Sequence, residues 1–533
     1  MTIKKVVIIG SGASGIFAAQ GLIDAGIRPC VIDVGFTPQD SLSINENFYS
    51  ISDKNTLESL IIGENLEGLG NFLFEQRYKS PRLRAPKFKF VSEGTNELLK
   101  WGGYSQEVIH SLAAGGLANA WGAGAFRYTN EELDQTPLTY KILEPHYDRV
   151  SKIVGVCGSN EDDLQSFFLK EKFLQKPVQL SKISTDILKN YNRKKHLINK
   201  GGIYVGHPRL AVLTEKLGDR QPLQYNNTEF WDSTNTAIYS PRWTLNELIK
   251  KEQIEYAPQM LISEIKLNSK TVILKGIHLN SKQSFTIETE HLILAAGTLQ
   301  TSSLMLKSFP QYLPENLSLL DNFSFQVPFF MPKFFGSNVD STAFGSADLS
   351  MIFDKSRYGI QMQASVFNMT SIPKSEFYDK IPLDAKMTVH LLKNMVPALG
   401  ALFVFVDNNG QYKSTISYNK ELGHMDLSKP TQAPNIQYGK LCLDLLKLGI
   451  WTIPPLIQKV PFGGSIHYTG SLPMMKTTSS NHHVNINGTI GFSSRIRIAD
   501  GSWMPTVAAK HPTYTFMANA HRIGSLLAKE LLE

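Results

Sequence analysis

The chain has 533 residues, 42% of them hydrophobic, which allows a large core and exceeds one ordinary domain. Its formal charge is +7, but the basic residues are scattered. The densest cluster, Arg193-Lys194-Lys195-His196, lacks interleaved aromatics and reads as a solvated face, which argues against a nucleic-acid partner and leaves only a weak bias towards anions. Three cysteines without paired spacing, Cys30, Cys157 and Cys442, argue against a disulfide framework, a zinc site or c-type haem attachment.

Met1–Lys5 runs directly into a strand without room for a signal peptide. Val6–Ile9 is fully apolar, as in a strand buried on both faces of a parallel sheet. It delivers Gly10-Ser11-Gly12-Ala13-Ser14-Gly15 and then a helical stretch with Ile16, Ala18, Ala19, Leu22 and Ile23 on one face, stopping near Gly26. A second apolar run, Cys30–Asp33, ends on an acid 18 positions beyond Gly15. In such a unit Gly10 permits the tight turn, Gly12 lets the backbone approach a pyrophosphate, and Gly15 allows close helix–strand contact. The N–H groups at the helix start, from Ala13 and Ser14 onward, face the phosphates. Asp33 is placed to accept hydrogen bonds from ribose hydroxyls and disfavours a 2′-phosphate, which argues against NADP. The motif alone does not separate FAD from NAD.

Residues 41–94 hold few regular periods and many Asn, Ser and Gly, suggesting extended loops over the cofactor. A glycine-rich stretch follows at Ala114-Gly115-Gly116-Leu117-Ala118-Asn119-Ala120-Trp121-Gly122. Residues 150–235 contain the amphipathic Leu164–Phe173 and the polar run Gln221–Asn235, a candidate lid or contact within a homo-oligomer. Tyr256–Ile265, Val272–Leu279 and Ser284–Glu288 read as short strands. They feed a further strand that ends in Ala295-Ala296-Gly297-Thr298 and passes into a helix, small residues that let the chain run close to a ligand. Residues 311–460 alternate strands rich in aromatics, Phe323–Phe335, Gly359–Phe367 and Ala401–Val406, with a covering helix at Leu383–Lys393. The apolar run Val396–Val406 is about half of the ~20 residues a spanning helix needs. The expectation is a cytoplasmic protein with no transmembrane segment. Near the end come Phe462-Gly-Gly-Ser-Ile-His467-Tyr-Thr-Gly470-Ser471, Ala499-Asp500-Gly501, and His511-Pro512-Thr513 opening a helix whose buried side is Ala518, Ala520, Ile523 and Leu527. His482-His483 reads as a solvent-facing approach to the Asn487-Gly488 turn, with no third ligand spaced for a metal. His521 reads as a packing or surface residue.

In combination, the opening fingerprint, Ala114–Gly122, His291–Leu304 and the final seventy residues resemble the glucose–methanol–choline (GMC) oxidoreductase family of FAD-dependent alcohol and sugar oxidoreductases. The Ala114–Gly122 stretch is closer in style to the pyranose-oxidase-like, sugar-oxidising branch. The resemblance implies an α/β (α+β overall) fold. A Rossmann-like FAD-binding domain would comprise 1–40, 95–150, 235–310 and 460–533, and a discontinuous substrate-binding domain, 150–235 and 311–460, would rest on a mostly antiparallel sheet. It places the flavin along Gly115, Gly116, Asn119 and Ala120. Ala120 stands where that branch can carry a histidine linked to the flavin, which implies non-covalent FAD. The adenine falls near Ile262, and Ala296, Gly297, Asp500, Gly501, Pro512 and Thr513 lie along the cofactor. His467 aligns with the base on the substrate hydroxyl, and His511 with its partner on the same oxygen. An imidazole near neutrality suits that proton, while the hydride goes to the flavin. The activity implied is oxidation of a CH–OH group of a sugar, sugar derivative or other alcohol, with an external electron acceptor. A redox-neutral epimerase, isomerase or lyase on the same scaffold and a non-catalytic flavin-binding subunit are the alternatives. An NAD dehydrogenase is a weaker rival.

Overall fold

In this computed structural model the described residues are 3–38, 52–53, 55, 59, 81–225, 236–340, 342, 345–369, 381–477 and 480–533. Most of the 41–94 stretch expected to cover the cofactor, and residues 226–235 of the candidate lid or oligomer contact, lie outside them.

Numbered in chain order, the elements that build the site begin with β1 (Lys4–Ile9), α1 (Ala13–Ile23), β2 (Cys30–Ile32), β3 (Ser284–Leu294) and α2 (Thr298–Ser308). They continue with β4 (Phe323–Phe330), β5 (Met362–Asn368), β6 (Leu399–Val406), α3 (Tyr438–Leu446), β7 (Gln458–Val460), β8 (Ser493–Ile498) and α4 (Thr513–Leu532). In the first sheet β8, β3, β1, β2 and Glu255–Ala257 lie side by side and parallel. Their apolar runs are buried on both faces, as the unbroken Val6–Ile9 sequence predicts. The sequence suggests two separate strands before Ala295, but the structure has one of 11 residues. Ser284–Thr289 pairs antiparallel with Val272–Ile277, and Thr289–Leu294 pairs parallel with β1, so one strand serves both the meander and the parallel layer.

The turn after β1 needs its glycines. Gly10 has φ +97°, and a Cβ there would lie 2.5 Å from the Ala295 carbonyl oxygen; one on Gly15 would lie 1.9 Å from that of Gly10. The same device joins the first helix to the last. A Cβ on Gly21 would sit 2.3 Å from the His521 oxygen, and one on Gly524 would sit 2.1 Å from the Ala18 oxygen. Helix α4 is therefore buried around nearly its whole girth from Tyr514 to Gly524 rather than on one side. Its other flank meets helix Tyr140–Val154, where the Tyr147 and Thr515 hydroxyls are 2.7 Å apart.

The second sheet is antiparallel throughout, in the order β7, β4, β6, β5, Leu349–Phe353, Ile203–Gly206. One face looks towards the first sheet's carboxyl ends. The other is covered by helix Lys182–Arg193, through buried Ile183, Ile187 and Tyr191, and by α3, whose Tyr438 stands edge-on to Phe325 at 5.2 Å. The helix expected at Leu383–Lys393 forms as Ala385–Met395, but it buries only Thr388 and Leu392 and covers little. The chain is thus mixed α/β, with its parallel and antiparallel layers interleaved in sequence.

Gly524→Val is expected to lower the unfolding free energy by at least the ~1–3 kcal/mol of an overpacked core, because no rotamer moves a Cβ off a backbone oxygen. Gly439→Ala, where a Cβ meets nothing within 4 Å, should be neutral or stabilise helix α3 by about 0.5–1 kcal/mol. Chemical denaturation of both variants makes the comparison.

Candidate active site

A cavity of about 630 Å³ runs from the glycine turn to the face of the antiparallel sheet, in the middle of the usual range for small-molecule sites. Its near end is formed by Gly10, Gly12, Ala13, Ser14 and Asp33. Its middle is formed by Ile262, Gly116, Ala120, Ala296 and Gly297, and its far end by Asp500, Gly501, Thr513, His467 and His511. The fold thus brings to one wall fifteen positions that the sequence places hundreds of residues apart.

Four others stand behind that wall. Gly15 presses against Gly10. Gly115 takes a left-handed turn, and its N–H donates to Ser11 Oγ at 3.2 Å. The Asn119 side chain is consumed internally: Nδ2 donates to the Ala114 and Gly116 carbonyls at 2.9 and 2.7 Å, and Oδ1 accepts from Ser240 Oγ at 2.6 Å. It fastens the glycine-rich stretch to residue 240 rather than facing the cavity. Pro512 is the N-cap of α4, one position outside the helix, and is buried.

Gly12 is informative for the opposite reason. Its φ of −67° is open to any residue, and a Cβ there would meet nothing nearer than 3.9 Å. The protein's own packing does not require a glycine at this helix start. The space beside it, under unpaired first-turn N–H groups, suits a pyrophosphate. Asp33, at the end of β2, accepts from the N–H of Ser11 at 3.1 Å and from its hydroxyl; burial lifts its carboxyl to about 6, against those donors. Asp500 is turned inward onto Thr301 and the Ser502 N–H and hydroxyl, so it braces the strand end.

The far end is built on an aspartate–asparagine pair that the sequence does not single out. Asp321 is fully buried and accepts from the Gly463 N–H at 2.8 Å, the His467 N–H at 2.9 Å and the Ser465 hydroxyl. Burial raises its carboxyl to about 6, and the same donors hold it down. Asn322 turns the next side chain to the imidazole. Its amide nitrogen donates to the carbonyls of Val406 and Ala508 at 2.8 and 2.9 Å, so its oxygen faces His467 Nδ1 at 2.8 Å. An amide oxygen only accepts; Nδ1 must carry the proton, and Nε2 is left with its lone pair. Ile466, immediately before, has φ +63°, a strained value for a β-branched residue and one held by its surroundings.

The rings of His467 and His511 are 4.9 Å apart, and Phe405 contacts both, at 4.7 and 4.8 Å. Burial, with His511 nearby, holds His467 well below the usual imidazole range, and burial brings His511 to about 4. Both are neutral at pH 7. The only readable signal for Asp321-Asn322 was a polar pair before a strand, which usually marks a turn; its partner is 145 residues away. His110, which also lines the cavity with its Nδ1 on Gln300 at 2.8 Å, carried no motif at all. The remaining histidines fall elsewhere. His482 and His483 are half-buried and in ring contact at 4.5 Å, not solvent-facing as expected, because the turn folds back onto the loop around Ser480. His521 is buried between Asp24 and His146.

No family model matches the chain, and no curated protein matches it in sequence. Solved structures do match in fold. Pyridoxine 4-oxidase from Mesorbium loti superposes with a TM-score of 0.56 at 10% identity, covering 98% of each chain. An FAD-dependent oxidoreductase from Chaetomium thermophilum, solved with a small-molecule fragment, gives 0.58 at 12% identity, covering 99% of this chain and 100% of that one. The chain therefore has the α/β architecture of FAD-binding oxidoreductases.

The Asn322 contact makes a spectroscopic prediction. Imidazole ¹⁵N shifts of the purified protein at pH 7 should show His467 as the neutral Nδ1–H tautomer, and Asn322→Ala should release it to a mixture. That variant also strands two buried carbonyls and should cost about 1–3 kcal/mol in denaturation. An Nε2–H tautomer in the unmodified protein would contradict the assignment.

Proposed function

We propose that this chain is an FAD-dependent oxidoreductase that converts a CH–OH group of an alcohol, a sugar or a sugar derivative to a carbonyl. The observation that carries the reading is His467: uncharged, fixed in one tautomer, and presenting Nε2 to a cavity whose opposite end is a dinucleotide-type turn. In this reading the N–H groups after Gly12 hold a pyrophosphate, Asp33 holds a ribose, and the backbone at Ile262 meets the adenine. Gly116, Ala120, Ala296, Gly297, Asp500, Gly501 and Thr513 border the rest. Ala120 offers no nucleophile, which supports FAD held without a covalent link. When bound, FAD supplies the acceptor for a hydride.

The residues handle the proton. His467 Nε2 takes it from the substrate hydroxyl as the C–H bond yields its electron pair, and Nδ1–H···Oδ1 of Asn322 steadies the imidazolium that forms. His511, with no hydrogen-bond partner on either nitrogen among the described residues, is free to orient the same oxygen. Phe405 and the wall behind it keep water from the pair, so neither imidazole is protonated at rest. Two electrons then leave to an external acceptor, a requirement that separates net oxidation from an epimerase or lyase. The division of the chain into cofactor and substrate domains at the boundaries given above belongs to the same proposal. So does a cytoplasmic location, which three buried free cysteines support; among the described residues no helix is long and apolar enough to cross a membrane.

Replacing His467 by Ala should slow anaerobic flavin reduction by about 10²–10⁴-fold with FAD retained. Gly12→Val should fold, since its space is open, and yet purify without FAD; a yellow Gly12→Val protein would remove Gly12 from the cofactor site. The pH profile follows from the imidazole shift. The neutral form is the base and its pKa is depressed, so kcat/KM should be level above about pH 6.5 and fall only in more acid solution. An acid limb at pH 7 or higher would exclude His467 as that base.

A further inference from the structure

The cavity lining reaches one end of the antiparallel sheet at Pro328, Leu399 and Gly400, and that end carries an apolar collar. Across the sheet, residues facing the cavity form rungs fixed by the strand register. Nearest the histidines is the rung Ser324–Phe405–Gln363; next come Gln326–Phe403–Ser365, then Pro328–Ala401–Phe367, and finally Phe330–Leu399. Polar partners stop at the second rung, where Gln458 of β7 also lies beside Gln326. The outer wall is apolar, so a polyhydroxylated body lying there would lose hydrogen bonds to water without replacement.

Beyond the last rung the apolar surface continues into solvent. The chain pairs with Phe330 at Trp451, loops outward through Ile453-Pro454-Pro455-Leu456, and returns as β7 beside the cavity. Trp451, Ile453 and Leu456 are 58, 56 and 50% exposed. Leu443 and Leu446 on the adjoining helix α3 are exposed too, as is Phe335, in edge contact with Phe330. Single exposed apolar residues are ordinary, but a contiguous set at the end of a cavity wall marks an interaction surface. Lysines outnumber carboxylates around it. The segments that carry the collar, 331–336, 383–395 and 440–460, contain Lys333, Lys386, Lys393, Lys440, Lys447 and Lys459 against Asp384 and Asp444. Asp444 is buried and bonded to Lys447 and Tyr358, and Lys333 pairs with Asp186, which leaves Lys386, Lys393, Lys440 and Lys459 against Asp384.

We propose that this collar seats the protein on the surface of an anionic lipid bilayer, with the pocket mouth opening at the membrane. A tryptophan and branched aliphatics in a short proline-held loop, ringed by lysines, match the acyl–headgroup boundary in both apolarity and charge. A second copy of the chain would bring lysine against lysine and close the mouth. A mouth with an apolar outer wall then exchanges molecules dissolved in the membrane rather than in water. The docking stands on the collar alone and does not depend on the oxidoreductase reading.

The test is co-sedimentation of the full chain with vesicles of phosphatidylcholine, with and without 30% phosphatidylglycerol. The protein is expected to pellet with the anionic vesicles, at least tenfold more than with the neutral ones, and to be released at 0.5 M salt. Trp451→Ser/Ile453→Ser/Leu456→Ser, which replaces only exposed side chains, should lower binding at least tenfold while leaving the thermal melt unchanged. Should that variant misfold, quenching of the unmodified protein by brominated lipid gives the same answer, since Trp451 is the exposed one among the described tryptophans. Protein remaining in the supernatant with anionic vesicles, equal binding by a folded triple variant, or a stable dimer in sedimentation that the triple variant abolishes would each overturn the proposal.

Discussion

The buried carboxylate of Asp321 is the constraint on which the far end of the cavity depends. A charge out of water survives only where donors converge on it, and here all the side-chain and backbone donors named come from one loop, 463–467. Each hydrogen bond to a charged group is worth roughly 1.5–3 kcal/mol net. The loop is thus drawn onto a fixed point. That attraction can hold Ile466 at a positive φ, a conformation costing on the order of 1–3 kcal/mol. The neighbouring Asn322 converts the fixed loop into a fixed ring. Backbone and side chain of His467 are set by adjacent residues on one strand start, and neither can drift alone.

The opposite end is held by close approach rather than by charge. The first and last helices touch through Gly21 and Gly524, backbone against backbone, and the amino ends of both, at Ala13 and Thr513, line the same cavity. Tyr468 links the two ends: its hydroxyl accepts from the Ile109 N–H and donates to the Gly463 carbonyl, while its own carbonyl accepts from Thr298 at the start of α2. The loop bearing His467 is therefore tied both to the antiparallel sheet and to the segments that line the middle of the cavity.

What could be read from the sequence was what local pattern encodes. The strand–turn–helix–strand opening, three of the six strands of the antiparallel sheet and the helix after Pro512 are present where expected, because period, apolar runs and glycine placement are local signals. Asn119 shows the limit of that reading: its motif was visible, but its amide turned out to hold the loop together, which depends on Ser240, 121 residues away. Asp321 and Asn322 were passed over for the same reason. Their role exists only through contacts with residues 463–467, 406 and 508. Helix Ala385–Met395 was placed correctly along the chain but not in space, since its periodicity says which face is apolar and not what, if anything, it meets.

The two imidazoles differ in how much freedom the fold leaves them. His467 is held by ring and backbone and has one usable lone pair. His511 is held by contact alone: Gly122 and Gly124 pass so close that a Cβ on Gly124 would lie 2.7 Å from its ring, and Phe126 and Phe405 flank it. Its plane is thus defined while its tautomer is open, so it can donate to an alkoxide-like oxygen or accept from a hydroxyl. A rigid acceptor beside an adaptable neighbour is what a reaction needs when the same oxygen begins as a donor and ends as a carbonyl. Two locked imidazoles would fit only one of those states. The asymmetry comes from Asn322 facing one ring and no equivalent group facing the other among the described residues, and the proposed division of tasks between the two histidines rests on it.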